Sequence, residues 1–126
     1  MNLLLINKIA SSKKLQHFLE KSYSLELLFL LYNKHEFEGI ENLYHVLISP
    51  KQKYPAFKSY IIYLNHKNCI QIDDGKIKKS SKNISLKNEV FLEFDAIIKY
   101  YEKNVYLNYK KVIKLLLLLF HFFYFY

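Results

Sequence analysis

Among its 126 residues the chain has no arginine, no tryptophan, one cysteine, one methionine, two glycines and two prolines. A lone cysteine, Cys69, excludes an intramolecular disulfide and any cysteine-based zinc site. It fits a reducing cytosol, so a cytoplasmic location is expected, and its apolar neighbours mark it as a buried small hydrophobe. Scarce glycine and proline argue against a loop-rich or disordered protein. Without arginine, every positive charge is a lysine, a point charge suited to phosphate rather than a bidentate reader of guanine. Any nucleic-acid contact should therefore lean on the phosphate backbone and on AT-rich shape.

Recognisable chemistry is also lacking. No nucleophile motif, glycine-rich phosphate loop or pair of catalytic carboxylates stands out, so neither an enzyme nor a bound cofactor is expected. His17, His35, His45, His66 and His121 share no ligand spacing, which argues against a metal site. Residues 3–6 form a short apolar run without a basic leader or a cleavage-like end, so no secretory leader is expected. At the other end, residues 115–126 read LLLLLFHFFYFY, apolar apart from His121. That is short of the roughly 20 residues a membrane span needs. The expected role is a buried terminal helix or dimer element, with membrane contact as the alternative.

Hydrophobic residues make up 52% and aromatics 17%, and the net charge is +8. The length suggests one domain, with a core over residues 14–104 and a hydrophobic C-terminal helix or dimer element over 105–126. The basic balance favours polyanions: DNA, RNA or an anionic membrane surface.

Hydrophobic spacing then gives the elements. Ser11 and Ser12 precede a helical stretch with Leu15, Phe18 and Leu19 on one face. Ser24 is placed to cap a helix over residues 25–33, apolar nearly all round and so expected to be central and buried. Residues 34–39 read as a polar connection in which Gly39 is free to turn left-handed. Ile40, Leu43, Tyr44 and Leu47 follow helical spacing. Ser49 and Gln52 have capping-box spacing around Pro50, but a helix through Pro55 would lose a hydrogen bond. The next helix is therefore expected at residues 55–67, with Phe57, Ile61 and Leu64 inward and Asn68 as a left-handed terminator. Ile70 and Ile72, then Ile84 and Leu86, alternate as strands around an Asp74-Gly75 hairpin signal. From Leu86 an amphipathic helix runs through Val90, Phe91, Phe94, Ile97, Ile98 and Tyr101.

This order predicts a mainly α chain with a small β-wing, a winged helix-turn-helix. Lys51 and Lys53 are expected on phosphates, Tyr54, Ala56 and Ser59 nearest base edges, and Lys58 in the same cluster. Lys76, Lys78, Lys79 and Lys82 are expected as wing contacts to phosphate, although lysines also protect sheet edges. Tyr60 and Tyr63 either face a partner or pack in the core, and Tyr100, Tyr101, Tyr106 and Tyr109 either line a dimer interface or do the same.

The stretch KYPAFKSYIIYLNHKNCI, Lys53 to Ile70, resembles the recognition helix of MarR-type winged-helix regulators, in particular the small Sar branch. The distance from Ile70 to NISL, Asn83 to Leu86, is similar to that family's wing, and the likeness covers about residues 14–104. It implies a homodimeric DNA-binding transcriptional regulator on double-stranded DNA, dimerising through terminal helices. The family's wing carries an Asp closely followed by an Arg; here Asp73 and Asp74 are followed by Lys76. Two other classes remain open: a protein–protein module on the same fold, and a small protein held at a membrane by its tail.

Overall fold

Pro55 decides where the fourth helix begins. The structure, a computed structural model, describes residues 3–76 and 81–125, with backbone alone at 105–108, 120 and 122–125. Its helices are α1 (Leu3–Ala10), α2 (Ser24–Lys34), α3 (Ile40–Val46), α4 (Tyr54–His66) and α5 (Asn88–Phe125). A 3-10 helix lies at Leu15–Leu19, and the strands are β1 (Glu36–Glu38), β2 (Ile70–Asp74) and β3 (Lys82–Leu86). The protein is thus mainly helical with a small antiparallel sheet, in the order β1-β3-β2. The chain divides into two compact units, Met1–Asp95 and Ala96–Tyr126, with the division inside α5.

In the first unit Pro55 sits in the opening turn of α4, where its missing N–H costs nothing. Residues 47–53 stay non-helical, so the Ser49–Gln52 capping signal is unused. Leu27, Leu28 and Leu31 of α2, Phe57, Ile61 and Leu64 of α4, and Val90 and Phe94 of α5 are all buried. They share one core with Leu15, Phe18, Tyr23 and Leu43. Such burial stabilises by roughly 1.5–3 kcal/mol per large side chain. Asn68 takes φ 57 and ends α4, with the Cys69 N–H donating to the Leu64 carbonyl at 2.9 Å.

Two local expectations change, and one helix is added. Residues 3–10 form a helix that buries Leu5 and Ile9. Residues 36–38, expected as a plain connection, form β1, pairing Phe37 with Ile84. A three-residue strand is too short to leave an alternation signal. Ser24 lies inside α2, where its side chain accepts the Lys21 N–H at 3.0 Å instead of capping forward. Gly39 behaves as expected, with φ +91. A Cβ there would also meet Asn42 Nδ2 at 2.8 Å, so other residues would be strained and crowded.

In the sheet, Ile70 pairs with Leu86, Ile72 with Ile84, and Asp74 with Lys82. The hairpin closes through the Gly75 N–H, which donates to the Ser81 carbonyl at 2.7 Å. In the second unit α5 continues without a break through residues 96–125 and includes Tyr109 and Val112.

Candidate nucleic-acid interface

One side of α4 is spent on the core, through Phe57, Tyr60, Ile61 and Leu64. The other side leaves Pro55, Ala56, Lys58, Ser59, Ile62 and His66 exposed. Two grooves flank this ridge. A groove of about 510 Å³ is lined by Tyr54, Lys58 and Ile62 of α4, the start of α3, and Ile72, Ser81 and Lys82 of the hairpin. On the opposite flank a groove of about 630 Å³ is lined by Ala56, Ser59 and Tyr63 with Glu20, Lys21 and Gln52. Lys58 and Lys82 therefore share one depression, while Ala56 and Ser59 border the other.

The start of α4 is held by a polar web. Glu26 of α2 accepts the Ile48 N–H at 3.0 Å and the Ser49 N–H at 2.9 Å. Burial opposes the charge on Glu26, but these N–H donors, the Ser49 side chain and nearby Lys51 outweigh it and hold the carboxyl below its ordinary value. The Tyr23 hydroxyl donates to Gln52 Oε1 at 2.9 Å, and Tyr44 donates to the Gln52 carbonyl at 2.8 Å. Burial, aided by the neighbouring Tyr44, pushes the Tyr23 phenol up to about 12.

The expected contact residues divide by what they already do. Lys51 donates to the carbonyls of Tyr44 and Leu47, each at 2.7 Å, and its ammonium lies 4.7 Å from the Tyr44 ring centre. It closes the C-terminal end of α3, where orphan carbonyls attract a cation, and that use occupies two of its three N–H donors. Lys53 and Lys58 are exposed and meet no carboxylate among the described residues. Tyr54 is half-buried, its ring 5.4 Å from that of Tyr44. The Ser59 hydroxyl donates back to the Pro55 carbonyl at 3.0 Å.

On the hairpin, Lys76 pairs with Glu36 at 2.9 Å and Lys82 with Asp74 at 3.2 Å. Hydrogen bonds from Lys76 and Asn83 hold the Glu36 carboxyl below its usual range. Both pairs are exposed, and water and salt screen exposed pairs so that they contribute little, so a phosphate can compete for either lysine. Lys78 and Lys79 lie outside the described residues, as does the Tyr106 side chain.

Tyr60 resolves to core. It is 5% exposed, donates to the His17 carbonyl and accepts from Ser24 Oγ, 2.9 Å away. The signal was present in the sequence, because 57, 60, 61 and 64 lie on one helical face. Glu26 had no such signal: a glutamate within a leucine-rich helix does not announce which backbone it will meet. Cys69 is fully buried, and desolvation pushes its thiol up to about 11. No group of three or more His, Cys, Asp or Glu able to hold a metal ion occurs among the described residues. No family model, curated protein or solved structure matches this chain.

Proposed function

We propose that the first unit is a winged helix-turn-helix that binds double-stranded DNA as a transcriptional regulator, with α3 and α4 as the helix pair and the β2–β3 hairpin as the wing. The observation that carries this reading is the shared groove: the exposed ridge of α4 and the lysine-bearing hairpin open on the same depression. In this reading α4 enters the major groove by its N-terminal half, where Lys53 and Lys58 meet phosphate and Ala56 and Ser59 lie nearest base edges. Lys76, Lys82 and the wing lysines Lys78 and Lys79 hold the adjoining backbone. Supporting it are the element order and the sequence likeness to MarR-type regulators. The absence of arginine favours AT-rich sites. Two copies, joined through terminal helices, would set two α4 helices about one DNA turn apart.

The test is fluorescence anisotropy on AT-rich duplexes with the full chain and with Lys53→Ala/Lys58→Ala. Binding of the parent chain, weakened at least tenfold in the variant across all duplexes, supports the proposal. Equal binding by both proteins, or no binding by either, defeats it.

One observation favours a second reading, a protein–protein module. Ile62 is 42% exposed on the outer ridge of α4, and the described hairpin lysines are matched by carboxylates. A partner with an apolar knob and an acidic rim would fit the same groove. No shift on DNA, together with a stable heterocomplex lost in Ile62→Lys, would establish that reading instead.

A further inference from the structure

Residues 115–119 are five leucines in succession on α5, and all five are exposed, from 48% at Leu119 to 64% at Leu117. An α-helix turns once in about 3.6 residues, so this run presents apolar surface around the whole circumference. A partner helix covers a stripe and would leave the other leucines in water. A fluid apolar phase covers all sides. Immediately before the run stand Lys110, Lys111 and Lys114, spaced so that Lys111 and Lys114 fall on one face. Residues 96–126 hold five lysines against one glutamate, Glu102. Tyr109, immediately before Lys110, is 64% exposed, and tyrosine favours the level of lipid headgroups.

We propose that the second unit docks on an anionic lipid surface, burying the leucine run among acyl chains with Lys111 and Lys114 at the headgroups. No helix among the described residues is long and apolar enough to cross a membrane. Leu115 to Phe125 rises about 16 Å at about 1.5 Å per residue, against a hydrocarbon core of about 30 Å. This stretch therefore reaches into one leaflet. The lysines supply the preference for anionic lipid and the leucines supply the depth. The proposal uses none of the residues assigned to the DNA-contacting face, but it gives residues 115–119 to lipid and not to a junction between two copies.

The experiment is flotation of the full chain with phosphatidylcholine–phosphatidylglycerol vesicles and with phosphatidylcholine vesicles. The parent chain should float with the first, at least tenfold less with the second, and be released by salt. Leu116→Glu/Leu118→Glu should abolish flotation while leaving the helical circular dichroism of the protein unchanged. Lys111→Ala/Lys114→Ala, which keeps the leucines, should lose most of the anionic preference, roughly tenfold or more. Equal flotation with both vesicle types would overturn the proposal. So would a lipid-free oligomer that does not float and that the leucine variant disperses, because a second copy would then be the occupant.

Discussion

Glu26 Oε1 accepts the Ser49 backbone N–H at 2.9 Å, across 23 positions of sequence. This contact joins the first turn of α2 to the turn that launches α4. The direction in which the exposed ridge of α4 points is therefore set partly by one carboxylate on a different helix.

Glu26→Ala should destabilise the protein by roughly 1.5–3 kcal/mol, the range for hydrogen bonds to a charged group, measured by urea denaturation. The pH dependence has a definite sign. The folded Glu26 carboxyl titrates below its ordinary value. Its contribution is thus complete above the unfolded value of about 4.3 and is lost as pH falls through the folded value. Glu26→Gln should remove that part of the acid sensitivity, read as a flatter stability curve below about pH 5.

Tyr60→Phe should cost roughly 1–3 kcal/mol, because it leaves the buried Ser24 hydroxyl and the His17 carbonyl short of a partner. Tyr63→Phe should cost less, since the hydroxyl of Tyr63 sits at the exposed edge beside Glu20. Thermal denaturation of the two variants side by side checks the order.

Much of this architecture was legible in residue spacing. Pro55 and Asn68 bracket α4 because each has a backbone preference that overrides its neighbours, and Asp74-Gly75 marks where β2 ends. Phe57, Ile61 and Leu64 named the buried face. Spacing could not reach β1, whose three residues owe their conformation to pairing with β3. Nor could it reach Lys51, expected on phosphate but bonded to the end of α3, or Glu26, because those roles depend on which backbone groups the folded chain brings within hydrogen-bonding reach.

Cys69 should resist a thiol reagent at neutral pH in the folded protein and react quickly in denaturant. Burial raises the thiol to about 11, so almost no thiolate is present. For an acid with a raised value, stability is lost as pH climbs above the unfolded thiol's ordinary value of about 8.5. Cys69→Ala should reduce that alkaline loss.

Lys51 and Lys58 should separate stability from binding. Lys51→Ala should lower unfolding free energy by roughly 1–2 kcal/mol through the two lost carbonyl contacts. Lys58→Ala should leave denaturation within about 0.5 kcal/mol of the parent but weaken DNA binding, which anisotropy and urea melts on the same preparations will show.

The most direct measurement is the affinity of the full chain for an AT-rich duplex as salt rises from about 50 to about 200 mM. Contact by Lys53, Lys58, Lys76 and Lys82 predicts a linear fall of log affinity on log salt with a slope of at least about −3 per bound copy, reduced by about 1 per copy in Lys58→Ala. A flat response, or a slope that Lys58→Ala leaves unchanged, would contradict phosphate binding by this face.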